Sequence, residues 1–562
     1  MNRDDKRDDG RDDGRGVNRR ALIGGAGVAA AATAAAVSPA LAQTPPRGGS
    51  GGEAPVAETA HGRVRGQNRG PVKAFFGVPY GAPTGAANRW LPPKPPANWT
   101  GVRDCIHYGA APPQNEPIGA PMREETAMLQ QAPIDEDCLH LNVWTPAVGP
   151  NSGKRAVMVW FHGGGFSAGS GNADSYDGVN LCSKHDVVLV TVTHRLNHFG
   201  FLYLGELFGD AYAQSGNVGM LDAVAALRWV HDNIVNFGGD PSRVMVFGQS
   251  GGGAKVSTLM GMPSAKGLFH RVAAQSGAAR AVTRDQAAAS AKRLVDALGA
   301  KSIAELQAMP WEHIEQIARQ NRGAGGSGPM IDMNLPAQVF DPAASPLSRD
   351  VPLISCTTET EAASWGATTY PVDNAQMHDQ VKEATRLSDA DTDALIAIYR
   401  QAYPGKDNMY LTQLLQTQWG FNYGVLTQAE KKAAQTAEAG AAPMFFAYFT
   451  KHTTVRDGRL HAPHTSEIPY CFDSLMRSRP IIGDVTPDKQ ALADKVSGYW
   501  TNFAKTGDPN GAGLTRWEPF NLTTRATMVL NDQPAMVNDP WGTTRRAVAE
   551  YKAKAAPQQA RG

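Results

Sequence analysis

One serine of the chain stands in a setting that suits a nucleophile. A Gly-x-Ser-x-Gly pattern at residues 248–252 places Ser250 between two glycines, directly after an apolar run and before a series of small residues. The apolar run indicates a buried strand, and the small residues can begin a helix. A turn this tight between a strand and a helix strains the serine backbone and exposes its hydroxyl. The pattern therefore predicts that Ser250 is the nucleophile of an acyl-transfer reaction.

A glycine run upstream could stabilise the charge that such a reaction develops. His162 and glycines 163–165 follow a strongly apolar segment at 156–161, which is predicted to be a central strand. Backbone without Cβ atoms can approach a substrate closely and turn its N–H groups toward an oxyanion. The amides of Gly164 and Gly165, together with that of Gly251, are predicted to form this oxyanion hole. A purely structural glycine loop is the alternative, and the downstream serine pattern favours the oxyanion hole.

Acidic and basic candidates follow two later apolar segments. Glu359 and Glu361 come just after a predicted strand at 352–356, and His461 and His464 come after another one. The carboxyl ends of parallel strands are where the chemistry of such sheets collects. The residues alone do not choose between the two glutamates or between the two histidines. The chain order of serine, acid and histidine is that of α/β-hydrolases.

The elements between these motifs predict a mostly parallel central sheet with helices on both faces. Residues 217–237 carry apolar side chains at helical spacing, which gives a strand–helix–strand crossover into the serine turn. The stretch 283–450 changes to short amphipathic helices, including helices near 391–403 and 411–437, and is predicted to form a cap over the catalytic face. We expect a single α/β domain over residues 56–555, because no linker or repeat interrupts it.

The first residues predict export rather than fold. Adjacent arginines, Arg19 and Arg20, precede a Gly/Ala-rich apolar run and a small-residue cleavage site that ends at Ala42. This is the pattern of a twin-arginine signal peptide over residues 1–42, followed by a flexible linker at 43–55. A membrane anchor is the alternative, but the run is short and Gly-rich and a cleavage site follows it. We expect an exported protein, periplasmic or secreted, with no stable membrane anchor.

Composition limits the classes of partner. The 562 residues have a net charge of +1 and are 42% hydrophobic, so the chain can bury a large core and shows no excess charge for nucleic acid. The cysteines have no metal-ligand spacing, and neither a metal nor an organic cofactor is predicted. Cys105 and Cys138 could form a disulfide bridge, but the sequence does not require one. The five cysteines are Cys105, Cys138, Cys182, Cys356 and Cys471.

The motifs in their order resemble the type-B carboxylesterase family, which also contains cholinesterases, bile-salt lipases and the non-catalytic neuroligins. The resemblance extends from about residue 56 to residue 517. It rests on the segments 76–80, 136–139, 162–166, 237–241, 248–252, 275–277 and 502–509. It implies an α/β-hydrolase fold. It assigns the base to His464 through the family pattern of His, two residues, Glu, Ile or Leu, and Pro, and it assigns the acid to Glu361 through the family's Asp-Glu-Gly stretch.

The resemblance implies a serine carboxylesterase whose partner is a small ester and which needs no cofactor. Gln249 stands where the family often has Glu, and Glu361 lies in Thr-Glu-Ala where the family has Asp-Glu-Gly. No aromatic residue occurs between Pro113 and Asp137, so the cation-binding tryptophan of cholinesterases has no counterpart. Gln249 and the missing aromatic residues together imply a preference for neutral esters. The alternatives are a neuroligin-like binding module, or the same triad acting on lactones, carbamates or amides.

Overall fold

The computed structural model describes residues 52–114, 133–364 and 371–559. The strands are β1 (Val56–Thr59), β2 (Gly62–Arg65), β3 (Gln67–Arg69), β4 (Val72–Pro79), β5 (Val102–Asp104), β6 (His140–Thr145), β7 (Arg155–Phe161), β8 (Val188–Val192), β9 (Gly239–Gln249), β10 (Arg271–Gln275), β11 (Leu353–Thr358), β12 (Met444–Phe449), β13 (Ala526–Leu530) and β14 (Ala535–Asn538). The helices are α1 (Val179–His185), α2 (Asn197–Phe201), α3 (Gly205–Phe208), α4 (Val218–Asn233), α5 (Gly251–Leu259), α6 (Arg284–Leu298), α7 (Ile303–Ala308), α8 (Trp311–Gln320), α9 (Asn374–Thr385), α10 (Asp389–Ala402), α11 (Asn408–Thr417), α12 (Tyr423–Thr436), α13 (Ile468–Phe472), α14 (Arg479–Ile482), α15 (Pro487–Thr506) and α16 (Gly542–Gln559).

A large mixed sheet organises these elements. Its strand order is β14-β13-β12-β11-β10-β9-β7-β8-β6-β4-β3, and the strands from β13 to β8 in that order run parallel. The outer strands pair antiparallel at both edges, and β1, β2 and β5 form a separate small sheet. Parallel neighbours require helical crossovers, which cover both faces of the sheet. The predicted α/β architecture is confirmed.

Two hydrophobic cores lie on the two faces of the sheet, because side chains alternate along each strand. In β7, Val157 and Val159 belong to one core, whereas Met158 and Trp160 belong to the other. All six residues of β7 from Ala156 onward are buried. This is why the central strands read in the sequence as continuous apolar runs rather than as alternating patterns.

The helices predicted for residues 283–450 form two groups, because β11 joins the sheet between them. In the first group, Thr283 and Gln286 form a capping box at the start of α6, and Gly299 ends that helix in a left-handed conformation. In the second group the helix expected near 411–437 is present. A π-helical turn at Gln418–Asn422 divides it into α11 and α12.

Three further predictions concern the signal peptide, a disulfide bridge and a membrane anchor. The proposed signal peptide and most of the linker, up to residue 51, lie outside the part of the chain that the structure describes. All five cysteines are buried thiols, so Cys105 and Cys138 are not bridged. Across residues 52–114, 133–364 and 371–559, none of the helices combines the length and the apolar character that a bilayer crossing needs.

Candidate active site

The register of three neighbouring strands brings the ends of three chain segments together. Gln249 at the end of β9 is opposite Gln275 at the end of β10, and Gln275 is opposite Cys356 in β11. The next residues along the chain, Ser250 and Ser276, therefore leave the sheet side by side at its carboxyl edge. This is the edge at which ligands bind in open parallel sheets.

Ser250 sits in a strained turn between β9 and α5. Its φ of 57° and ψ of −124° are sparsely populated for a residue with a side chain. The Ser250 amide donates to the carbonyl of Gln275 at 2.8 Å, which holds the turn against the neighbouring strand. Only glycine fits at position 252, because a Cβ there would lie 1.9 Å from the carbonyl oxygen of Phe161. The side chain of Ser250 is half-buried although the residues around it are buried.

The glycine loop at residues 162–166 leans directly against this turn. Phe161 pairs with Gly248, so the loop and the turn leave adjacent strands at the same level. Gly164 and Gly165 have φ values of 81° and 62°, and a Cβ on Gly251 would lie 2.0 Å from the carbonyl oxygen of Gly165. The structure thus brings the three glycines predicted for the oxyanion hole into one region beside Ser250.

Glu361 and His464 form a fully buried hydrogen-bonded pair between His464 Nδ1 and Glu361 Oε2. The other oxygen of Glu361 accepts from the hydroxyls of Ser276 at 2.6 Å and Thr357 at 2.8 Å. It also accepts from the amide of Thr358 at 2.8 Å. Burial on its own would raise the pKa of the Glu361 carboxyl, but His464 and these donors hold that pKa below its usual value. Glu361 is therefore an ionised carboxylate aimed at one imidazole nitrogen.

The structure separates the pairs of candidates that the residues alone left open. Glu359 accepts from the Tyr410 hydroxyl at 2.9 Å and contacts His452 Nε2 at 2.6 Å, so it is directed away from His464. His461 packs edge-on against the ring of Tyr410, with centroids 4.8 Å apart. Of the four candidates, only Glu361 and His464 contact each other.

Three further residues adjoin His464 and Glu361; the family resemblance had already pointed to Gln249, whereas Phe421 and the role of Ser276 were missed. The side-chain amide of Gln249 lies 3.3 Å from His464 Nδ1 and 3.2 Å from Nε2, and the Phe421 ring lies 4.8 Å from the imidazole between centroids. Ser276, the donor to Glu361, lies in the family segment 275–277, but the sequence alone assigns it no role. Counting it as the first residue after β10, one strand from Ser250, would have placed it in the site.

A second carboxyl is buried behind the pair. Glu467 Oε1 accepts from Gln275 Nε2 at 3.2 Å, and the other oxygen has no partner among the described residues. Burial and then the nearby charge of Glu361 raise the pKa of Glu467 to about 7. Within the described ranges, no group of His, Cys, Asp and Glu side chains is arranged to hold a metal ion.

A strained serine after a parallel strand, followed along the chain by a buried acid and histidine, defines the class of α/β-hydrolases. Within that class, the chain belongs to the Carboxylesterase family, whose sequence profile matches residues 53–548. The protein is therefore a carboxylic ester hydrolase.

Individual relatives agree with this assignment over nearly their whole lengths. The chain is 31% identical to the para-nitrobenzyl esterase of Bacillus subtilis (strain 168) over 508 residues, which cover 88% of this chain and 99% of that protein. It is 32% identical to the phenmedipham hydrolase of Pseudarthrobacter oxydans over 503 residues, 86% of this chain and 96% of that protein. The crystal structure of a carboxylesterase from Geobacillus stearothermophilus at pH 6.2 superimposes with a TM-score of 0.75 at 32% identity, covering 88% of this chain and 99% of that one.

Proposed function

We propose that the protein is a serine carboxylesterase that works through Ser250, His464 and Glu361 and forms an acyl-enzyme intermediate. The observation that carries the proposal is the buried pair of Glu361 and His464 beside the turn that holds Ser250. Burying a carboxylate is costly unless hydrogen bonds compensate for the lost water, and three donors do so on the oxygen that does not face His464. A carboxylate held in this way fixes the tautomer of an imidazole, which is its role in serine hydrolases.

In the proposed acylation step each of these groups has one role. Ser250 Oγ attacks the carbonyl carbon of the ester while His464 Nε2 accepts the hydroxyl proton, because Nδ1–H donates to Glu361. The amides of Gly164, Gly165 and Gly251 donate to the oxyanion of the tetrahedral intermediate. The carbon–oxygen bond to the alcohol then breaks, and the imidazolium gives its proton to the departing oxygen. The acyl group remains on Ser250.

Deacylation uses the same groups in reverse roles. His464 Nε2 takes a proton from water, whose oxygen attacks the acyl carbonyl, and the same glycine amides stabilise the second oxyanion. The bond to Ser250 Oγ breaks as the imidazolium returns the proton to it. The carboxylic acid leaves and the resting enzyme is restored. Because all required groups come from the chain, the proposal uses no cofactor.

Neutral esters are the proposed substrate class. Gln249 places an uncharged amide next to His464, at a position from which a carboxylate would attract cationic alcohols. The para-nitrobenzyl esterase of Bacillus subtilis is named for an uncharged ester group, which supports the same class. A cation–π contact is worth about 2 kcal/mol when desolvated, so the missing aromatic residues would cost a choline ester roughly thirty-fold in binding. Comparing kcat/KM for choline acetate and 3,3-dimethylbutyl acetate tests this, and faster cleavage of the choline ester would contradict it.

The activity itself is tested with p-nitrophenyl esters of graded chain length and purified protein. We expect saturable hydrolysis, a burst of p-nitrophenol equal to the enzyme concentration, and one fluorophosphonate bound per chain. Mass spectrometry should locate the phosphonate on Ser250. A protein that binds the esters without turnover, as a neuroligin-like module would, or that carries the label elsewhere, would overturn the proposal.

We also propose export through the twin-arginine pathway, with cleavage near Ala42. The support is the arginine pair Arg19 and Arg20 before an apolar run and a small-residue cleavage site. Expression of the full chain in a bacterial host should give a mature form without residues 1–42 outside the cytoplasm. Replacing both arginines with lysines should retain the protein inside. Equal export of the two forms would contradict the proposal.

A further inference from the structure

A lysine side chain is fully buried beside the nucleophile turn. Lys255 belongs to α5, the helix that begins directly after Ser250. Its Nζ donates to the carbonyl oxygen of His162 at 3.0 Å and lies 5.6 Å from the centroid of the Phe166 ring. No carboxylate contacts this ammonium group within residues 52–114, 133–364 and 371–559. A buried amine without a carboxylate partner is unusual.

The surroundings of Lys255 contain further basic groups. The rings of His162 and His194 stack with centroids 5.0 Å apart, and the Nε2 atoms of both are without a partner in the described chain. Burial, and then the charge of Lys255, keep the pKa values of both imidazoles well below the usual range. Burial also lowers the pKa of Lys255 to about 7. An apolar residue of similar length would avoid the free-energy cost of burying an amine. Stability alone therefore does not explain why a lysine occupies this position.

Two other buried lysines show what a purely structural role looks like. Lys432 donates to the carbonyl oxygens of Ser348 and Arg349 and to the side chain of Gln435. Lys489 donates to two carbonyl oxygens, those of Ile482 and Asp484. Each ties together loops outside the candidate site with two or more hydrogen bonds. Lys255 instead places its hydrogen bond on the residue with which the oxyanion loop begins.

That hydrogen bond acts at the point where the loop needs a constraint. Glycines 163–165 have wide conformational freedom, so their own sequence does not fix where their N–H groups point. The amide of Asn197 holds the far end of the loop by donating to the carbonyl of Phe166 at 2.7 Å. Lys255 holds the near end, because the carbonyl of His162 defines the peptide plane that leads into Gly163. The amine of Lys255 donates to this carbonyl whether or not it carries its extra proton, and the protonated form makes the stronger hydrogen bond.

We propose that Lys255 is a positioning residue of the oxyanion hole, which fixes the glycine loop from behind through the carbonyl of His162. This inference rests on the proposed esterase mechanism. The loop must present its amides to the oxyanion and not to the planar ester, since only interactions gained in the transition state raise kcat. Removing the anchor therefore weakens binding of the transition state while binding of the ester itself changes little.

The test compares Lys255→Met, which keeps the length and apolar stem, with the matched control Lys432→Met. For each variant we would measure kcat and KM per titrated active site, the affinity of a trifluoromethyl ketone that adds to Ser250, and Tm. For Lys255→Met we expect a fall of about 10- to 100-fold in kcat and in affinity for the ketone, less than the roughly 10²- to 10³-fold cost of removing an oxyanion-hole donor outright, with KM within about three-fold. For Lys432→Met we expect a lower Tm with kcat within about two-fold.

Each outcome separates this inference from the proposed function. Wild-type kcat and ketone affinity in Lys255→Met would overturn the positioning role while the esterase mechanism stands. An equal loss of kcat in Lys432→Met would also overturn it, because the effect would then be general. If Lys255→Met does not fold, Lys255→Gln, which keeps a donor without the charge, should fold and show an intermediate kcat. A Lys255→Gln variant with wild-type kcat and ketone affinity would count against the role. Failure of the wild-type protein to hydrolyse any ester would instead refute the proposed function.

Discussion

The two halves of the candidate site are held in place by different kinds of contact. The nucleophile half, made of Ser250 and the loop at 162–166, is packed backbone against backbone, with no room for a Cβ at Gly251 or Gly252. The acid–base half, made of Glu361 and His464, is held by side-chain hydrogen bonds. Added volume should therefore damage the first half, and loss of a hydrogen-bonding group should damage the second.

The difference also explains which half the sequence reveals. A backbone contact at van der Waals distance demands glycine, and glycine at fixed spacing is visible in a sequence. A carboxylate such as Glu361 can be satisfied by many donors, and here Ser276 comes from another strand. The local sequence around Glu361 therefore does not predict that Ser276 is its partner.

The largest effect is expected for Ser250→Ala, which removes the nucleophile and leaves the packing of the nucleophile half unchanged. Esterase kcat should fall roughly 10⁶-fold, with a residual rate from the oxyanion hole and substrate binding. Tm should not fall, because Ala keeps the Cβ and the structure shows no hydrogen bond of the Ser250 hydroxyl within the described residues. Steady-state kinetics and calorimetry measure both. A variant with a rate near wild type would remove Ser250 from the mechanism.

His464→Ala against His461→Ala tests the acid–base half next. The two histidines are three residues apart, but only His464 contacts Glu361, whereas His461 packs on Tyr410. We expect kcat to fall at least about 10⁴-fold for His464→Ala and less than about five-fold for His461→Ala. The reverse pattern in p-nitrophenyl ester hydrolysis would show that His461, and not His464, is the base.

Glu361→Gln should cost about 10³- to 10⁴-fold in kcat, because the amide would donate to His464 Nδ1 and force the tautomer that cannot accept the serine proton. Ser276→Ala is the matched control. It keeps the carboxylate and two of the three other donors, so we expect about a ten-fold loss. Similar losses of kcat in both variants would mean that the charge of Glu361 does not determine the rate.

Some parts of the site can be predicted from the sequence and others cannot. The strand, turn and helix around Ser250 follow from an apolar run and two glycines, and the structure has β9 and α5 there. Glu359 and Glu361 could not be separated from the residues alone, because side chains two apart point to the same side of a strand. They diverge only because the chain turns after Thr358 into a 3₁₀-helix at Glu361–Ser364.

Tertiary packing accounts for what local patterns could not predict. Residues 411–437 have helical spacing throughout, yet the chain forms a π-helical turn at Gln418–Asn422 that brings Phe421 to the ring of His464. Lys255 follows a run of small residues in α5, and its hydrogen bond to the carbonyl of His162 joins it to a loop that is distant in the sequence. π-helical turns of this kind often mark functional sites, but a single sequence does not reveal them.

Gly252→Ala tests the prediction that added volume damages the nucleophile half. The new Cβ would meet the carbonyl oxygen of Phe161 at 1.9 Å, and neither backbone can move without disturbing the sheet. We expect a loss of at least about 3 kcal/mol in the free energy of unfolding. Gly424→Ala in α12 is the control, since only the Cβ of Ala278 lies near, at 3.8 Å, and it should stabilise by up to about 1 kcal/mol. Urea denaturation compares them, and equal stabilities would contradict the packing argument.

The smallest effect is expected at Glu467, which lies behind the acid–base half, and it depends on pH. The pKa of Glu467 is raised to about 7 in the folded protein, against about 4.3 in an unfolded chain. Between these values the folded state binds more protons than the unfolded state, so the free energy of unfolding falls as the pH rises, and the cost is complete above pH 7. Glutamine mimics the protonated carboxyl and removes this titration.

Glu467→Gln should therefore match wild-type stability near pH 4.5 and exceed it by about 3 kcal/mol at pH 8. The amide oxygen can still accept from Gln275, and the amide nitrogen replaces an oxygen that has no partner in the described chain. Glu518→Gln is the exposed control, and it should change the free energy of unfolding by less than about 0.5 kcal/mol at either pH. Urea unfolding of the three proteins at both pH values decides the matter. A gain for Glu467→Gln that is the same at pH 4.5 and pH 8 would mean that Glu467 is already ionised in the folded protein. The acid–base half would then hold a second negative charge, and the low pKa of Glu361 would need another explanation.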